Sequence, residues 1–140
     1  MTGHTHSVSV AGIIIDDANR ALLIQRRDNA RWEPPGGVLE HGERITDGLK
    51  REVLEETGLS VEPGALTGVY KNMPRDIIAL VFRCKATTGE LRTNSEVAAF
   101  RWASKDEIAN TISEAFAVRV LDAFEEGKVS IREHDGVRLV

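Results

Sequence analysis

Between Gly37 and Leu59 the residues keep a fixed rhythm: Gly37, five residues, Glu43, seven residues, then the run Arg51-Glu52-Val53-Leu54-Glu55-Glu56-Thr57-Gly58-Leu59. Ile45 to Thr57 are mostly good helix formers and Gly58 is a fitting stop, so a helix is predicted over 45–57. Gly48 weakens that helix by about 1 kcal/mol relative to alanine, and its presence implies a tight approach of another element. On the helix, Glu52, Glu55 and Glu56 stand at i, i+3 and i+4, inside a sector of about 100°. Like charges at this spacing repel by a few tenths of a kcal/mol per pair. A hard divalent cation with oxygen ligands compensates such a cluster. The apolar stripe Ile45, Leu49, Val53 borders the same sector, so the carboxylates sit at the edge of the buried face. A merely solvating acidic face lies away from the core. Arg51, next to Glu52, can hold one carboxylate in place.

The remaining segments alternate between the two secondary structures. Val8 to Ile15 is a β-branched apolar run and reads as a mostly buried strand. Asp16, Asp17 and Asn19 supply turn chemistry, and Arg20 to Arg27 reads as a second strand forming a hairpin with the first. Pro34-Pro35-Gly36-Gly37 reads as a rigid irregular loop. Two strands follow the helix, Ala65 to Asn72 and Asp76 to Ala86, parted near Pro74. The second is apolar on both faces at residues 77–82 and is expected at the centre of a sheet. Val97 to Trp102 is another strand. Ser104 with Glu107 forms a capping box and opens a short helix. Ser113 to Glu126 reads as the last helix, with Ala117, Val120, Leu121 and Phe124 at helical spacing and Gly127 as its end. Asp135-Gly136 reads as a tight turn between two short terminal strands. The pattern predicts an α/β fold, a mixed β-sheet between helices on both faces.

At 140 residues the chain is expected to form one domain, 1–140, with the polar residues 1–7 frayed. A formal net charge of −4 argues against stable nucleic-acid binding, which calls for a basic face. An acidic protein that handles phosphates needs a cation to neutralise them, which again points to a divalent metal. Cys84 is the single cysteine and lies in an apolar run, so it reads as a buried small hydrophobe, and a cytoplasmic location is the default. No stretch reaches membrane-spanning length and no secretion signal is visible at the N-terminus. His4, His6, His41 and His134 show no metal-ligand spacing.

The Gly37–Leu59 pattern resembles the Nudix box, the signature of the Nudix hydrolase superfamily, with no departure at any fixed position. Seven fixed residue types give a chance match on the order of 10⁻⁹ to 10⁻⁸ per starting position. The pattern spans 23 of the 140 residues. The flanking strand at 21–27, the loop at 32–37 and the segment at 96–102 also fall where such proteins place similar elements.

The resemblance implies a Nudix-type α/β/α sandwich and a MutT-like pyrophosphohydrolase that cleaves a diphosphate linkage in a nucleoside diphosphate linked to another group. Nucleoside triphosphates and ADP-ribose-like compounds are both open as substrates. Pro74, fifteen residues after Leu59, gives weak support to the latter. The resemblance further implies Glu52, Glu55, Glu56 and the Gly37 carbonyl as ligands of Mg²⁺ or Mn²⁺. Arg51 and Glu43 are implied as orienting residues, with Gly58 closing the helix. Either Glu52 or Glu96 is the general base. Arg26 and Arg27 end a strand, and alternation lets only one face the site; the resemblance favours Arg27, and Arg75 beside Pro74 is a further candidate contact. Trp32, Phe82 and Trp102 are either stacking platforms or core. A homodimer is one open arrangement. The competing function is a non-catalytic nucleotide-binding regulatory module, a kind of domain that often loses glutamates of the box.

Overall fold

Strand β1 (Ser7–Ile14) alternates its side chains between two cores, and this alternation organises the protein. The computed structural model describes residues 3–140. After β1 come β2 (Ala21–Arg26), β3 (Trp32–Glu33), β4 (Gly36–Val38), α1 (Ile45–Thr57), β5 (Leu59–Asn72) and β6 (Ile77–Gly89). β7 (Val97–Ala103), α2 (Lys105–Thr111), α3 (Glu114–Leu121), a 3₁₀ turn (Asp122–Phe124) and β8 (Ser130–His134) complete the chain. Val10 and Ile14 pack with Leu49 and Val53 of α1, together with Leu59, Val61 and Cys84. Ala11 and Ile13 pack on the opposite side with Tyr70, Val81, Ile108, Ala117 and Val120, under α2 and α3. The expected α/β architecture with helices on both sides is therefore present.

The strands form a five-stranded sheet in the order β4-β1-β6-β5-β8 and a three-stranded sheet in the order β3-β2-β7. The larger sheet is mixed: β1 runs parallel to β6 and β5 parallel to β8, while β1–β4 and β5–β6 are antiparallel. β6 lies at its centre, as its two-sided apolar run requires.

The expected hairpin between the first two strands does not form. Both edges of β1 are taken, by β4 and β6, so β2 has no ladder to join there. The two strands meet at one bridge, Ile15 to Ala21, and β2 then pairs with β3 and β7. The turn between them is built as expected, with Asp16 Oδ1 accepting from the Ala18 and Arg20 amides at 3.0 and 2.8 Å.

Gly36 and Gly37 are not in an irregular loop but in β4, opposite Ala11 and Val10. Glycine is needed at 36 because β4 presses on β1: a Cβ there would collide with the Val10 carbonyl oxygen. Gly36→Ala is expected to lower stability by about 2 kcal/mol or more, read as a fall in Tm, because backbone on both sides has to move. An unchanged Tm would show that β4 can shift freely.

Several other expectations hold. Gly48 sits where a Cβ would collide with Leu39 and with the Glu43 carboxylate, so its tight approach is real. The capping box forms in both directions, with Glu107 N–H to Ser104 Oγ at 3.3 Å and Ser104 N–H to Glu107 Oε1 at 3.1 Å. Ile45, however, is 44% exposed, and the buried face of α1 runs Leu49, Val53, Glu56. β5 begins at Leu59 rather than 65, carried past Pro63 by register shifts. The last helix ends at Leu121 and tightens into the 3₁₀ turn. After β8 the second terminal strand reduces to one bridge, His134 to Leu139. Ser7 is already part of β1; the expected fraying of Met1 and Thr2 lies outside the described residues, and Gly3 to His6 have no regular structure. Among the described residues no helix is long and apolar enough to cross a membrane.

Candidate active site

One face of α1 meets β4 and the segment ahead of β7, and the acidic residues gather there. Arg51 organises one side of the group. Its Nε and Nη2 donate to the two oxygens of Glu43 at 2.6 and 3.0 Å, the fork-on-fork pairing that fixes a carboxylate plane. Its Nη1 donates to Glu52 at 3.0 Å and to Glu55 at 3.3 Å. The Arg51 guanidinium, with help from the Glu40 N–H, holds the Glu43 carboxyl down at about 2.

Glu56 is different. The sequence places it at the margin of the buried face, but it is only 8% exposed. One oxygen accepts from the Gly36 amide at 2.6 Å. The two strand glycines thus serve the site: Gly36 approaches β1 closely enough to aim its N–H at Glu56, and a Cβ at Gly37 would collide with the carboxylate of Glu52. Burial pushes the Glu56 carboxyl up to about 8, and the charges of Glu52, Glu33 and Glu96 push the same way. Burial also raises Glu52, against the opposing pull of Arg51. Glu96 is exposed and lies close enough to raise both.

The group is therefore rich in negative charge and in hard oxygen donors, with one guanidinium among them that does not reach Glu56. That chemistry fits Mg²⁺ or Mn²⁺. Among the described residues no three acidic, histidine or cysteine side chains close around a common point. Arg51 lies between Glu43, Glu52 and Glu55 instead.

A cleft of about 860 Å³ opens beside this face, lined in part by Arg26, Arg31, Trp32, Glu33, Arg75 and Phe116. Glu33 links the two regions, since it lines the cleft and its charge acts on Glu56. The structure brings Arg26 and Arg75 to the cleft but not Arg27, the arginine favoured from sequence. Arg27 turns away and donates from Nε to the Asn94 carbonyl at 2.7 Å. Only one of the neighbours Arg26 and Arg27 reaches the cleft, as alternation expects, and it is Arg26. Arg26 is itself paired with Asp28 and Glu33.

Of the aromatic candidates, Trp32 lines the cleft, whereas Phe82 and Trp102 pack against the α1 core. Cys84 is buried, and burial pushes its thiol up to about 12. His134 is fully buried, with Nε2 3.0 Å from Arg119 and Nδ1 accepting from the Gly136 amide. Sequence reasoning missed Glu33, Phe116 and Asn94. Glu33 stood next to the Pro-Pro-Gly-Gly run, and that adjacency was its one available signal.

Comparison with known proteins gives a consistent picture. The NUDIX domain family matches residues 5–124. A MutT-like protein of Streptomyces ambofaciens is 50% identical over 135 residues, 96% of this chain and 88% of that protein. An ADP-ribose pyrophosphatase of Methanocaldococcus jannaschii is 38% identical over 97 residues, 64% of this chain and 57% of that protein. The solved structure of a MutT protein from Methanosarcina mazei Go1 superposes with a TM-score of 0.77 at 26% identity, covering 91% of this chain and 99% of that one.

Proposed function

The chain belongs to the NUDIX family and is a hydrolase of nucleotide anhydride bonds, and from that premise we propose that its reaction runs on the face shared by β4, α1 and the segment ahead of β7. The family is generally metal-dependent and acts on nucleotide-type substrates. The observation that carries the placement is the junction at Glu33, where a roomy cleft adjoins a cluster of carboxylates.

Glu52, Glu55, Glu56 and the Gly37 carbonyl would hold Mg²⁺ or Mn²⁺, with Glu52 released from Arg51. When bound, the ion supplies positive charge opposite the diphosphate oxygens and offsets the charge that develops on them. Hydrolysis joins a water oxygen to one phosphorus as the bridging P–O bond breaks, and the water proton needs an acceptor. Glu96 is the better base, because Glu52 would be committed to the cation whereas Glu96 is exposed and uses only its backbone in the hydrogen bonds around it. Arg51 and Glu43 orient the cluster. Gly58, left-handed at φ 83°, ends α1 so that β5 can begin at once.

The part of the substrate that does not react occupies the cleft. Trp32 and Phe116 offer rings to a base or sugar, and Arg26 and Arg75 offer guanidinium groups to a phosphate. A nucleoside triphosphate and an ADP-ribose-like compound both satisfy this lining.

The test is a phosphate-release screen with Mg²⁺ and Mn²⁺ across nucleoside triphosphates (oxidised ones included), ADP-ribose, dinucleoside polyphosphates and nucleotide sugars. Turnover of one class by wild type, lost in Glu56→Gln, is the expected result. Tight nucleotide binding with no turnover of any class would overturn it in favour of the regulatory module.

A further inference from the structure

We propose that Asn94 is a positioning residue for the hydrolysis: its side-chain amide locks the segment that carries Glu96 onto the C-terminal carbonyls of α1. The proposal rests on the reading of Glu96 as the base. It adds the group that fixes where that base stands relative to Glu52 and Glu56.

Residues 90–96, between β6 and β7, have no regular structure and are mostly exposed. Such a segment keeps one shape only where its backbone and side chains are tied down. Asn94, half-buried, supplies the tie next to Glu96. Its Nδ2 donates to the Glu55 and Glu56 carbonyls at 3.2 and 3.1 Å. These carbonyls belong to the last turn of a helix, where no further residue of the helix can pair with them. Its Oδ1 accepts from the Glu96 and Val97 amides at 2.9 and 3.0 Å.

One amide group thus grips the backbone of Glu56 on one side and that of Glu96 on the other. Both donor hydrogens and both acceptor lone pairs of the side chain are in use. The main chain of Asn94 is held as well, by its own N–H to Val97 O at 3.2 Å and by Arg27 Nε donating to its carbonyl at 2.7 Å. The Arg27 amide donates in turn to the Glu96 carbonyl at 2.9 Å. Arg27 therefore belongs to the same clamp, which accounts for its turn away from the cleft. Further along, the Arg92 amide donates to the Thr57 carbonyl at 3.0 Å, so the segment follows the end of α1.

Among side chains of this length, asparagine alone supplies both the NH₂ donors and the acceptor oxygen. Aspartate keeps the acceptor oxygen for the Glu96 and Val97 amides but sets a carboxylate against the two helix carbonyls. Alanine loses both halves. Misplacement of a base by about 1 Å costs on the order of a hundredfold in rate. Asn94 lines no part of the cleft, so its loss lowers kcat and leaves KM nearly unchanged.

Two measurements on the full chain test this. The first is amide hydrogen exchange without added metal: the Glu96 and Val97 amides are protected in wild type and exchange at least about tenfold faster in Asn94→Ala, while the α1 interior is unaffected. The second is a double-mutant cycle with Glu96→Gln, run on the substrate class found by the screen. Asn94→Ala alone lowers kcat by about 10- to 100-fold, and in the Glu96→Gln background it adds little, because it acts through Glu96. Asn94→Asp retains part of the rate and serves where the alanine variant folds poorly. Multiplying effects, or unchanged exchange at Glu96 and Val97, would overturn the role of Asn94 while leaving the hydrolase intact. Full activity of Glu96→Gln would remove the base itself, and with it the role assigned to Asn94.

Discussion

Glu56→Gln is expected to lower kcat by about 10²- to 10³-fold and to leave Tm in metal-free buffer at or above the wild-type value. The two halves of the expectation have separate causes. Glutamine keeps an oxygen for the Gly36 amide, so the 2.6 Å bond that seats the side chain survives. What disappears is a negative charge in a buried place. Burial lifts this carboxyl from 4.5 to about 8 in the folded protein. A carboxyl raised by folding is harmless below pH 4.5, where it is protonated in both states, and it costs stability as pH climbs from 4.5 through about 8. Glutamine cannot ionise, so that loss vanishes, and the variant melts with a flatter dependence on pH. The measurement pairs steady-state kinetics with melting curves in EDTA at pH 5, 6, 7 and 8. Unchanged kcat would take Glu56 out of the machinery. A much lower Tm in EDTA would mean that the carboxylate itself holds the fold.

The parts of this protein that were legible in its sequence are the parts decided locally. The 45–57 helix, the sector shared by Glu52, Glu55 and Glu56 and the Ser104–Glu107 box depend on spacing within a turn or two of helix. The central place of β6 could be read because a strand buried on both faces loses its alternation. What escaped depends on partners distant in the chain. The hairpin failed because β1 gives its edges to β4 and β6, and nothing in residues 8–27 encodes that competition. Gly36 and Gly37 looked like loop breakers, yet they are glycines because β1 and the Glu52 carboxylate crowd them. The depth of Glu56 follows from the Gly36 amide, twenty residues upstream. Arg27 was favoured by the resemblance, but its guanidinium goes to the Asn94 carbonyl, sixty-seven residues downstream, and Arg26 reaches the cleft instead. The cleft draws on four separated stretches, around residues 26–33, 72–75, 111–116 and 135–137, and no periodicity joins them. Asn94 carries no pattern of its own, because its importance lies entirely in which backbone groups it reaches.

Saturating Mg²⁺ or Mn²⁺ is expected to raise Tm by roughly 5–10 °C, and by more at pH 8 than at pH 6. A ligand that binds only the folded chain stabilises it by about 2.7 kcal/mol at a hundredfold excess over Kd, which sets the scale. The pH dependence comes from competition between the cation and protons. Carboxylate oxygens bind a divalent ion when deprotonated, and folding holds the Glu56 carboxyl near 8 and the Glu52 carboxyl above its ordinary value. At pH 6 the ion must displace a proton from Glu56, which weakens binding; at pH 8 much of that cost is gone. The same rise in pH lowers the stability of the metal-free protein, for the reason given for Glu56, so the gap between the two melting curves widens from both sides. Glu56→Gln removes the titrating ligand, and both the shift in Tm and its pH dependence are expected to shrink together. The experiment needs no substrate, so it tests the cation site independently of turnover. A shift of equal size at pH 6 and pH 8, or one untouched by Glu56→Gln, would place the ion elsewhere on the acidic surface. No shift with either ion would leave Glu52 and Glu55 as partners of Arg51 and Glu56 as a buried carboxyl seated on the Gly36 amide, with no cation site among them.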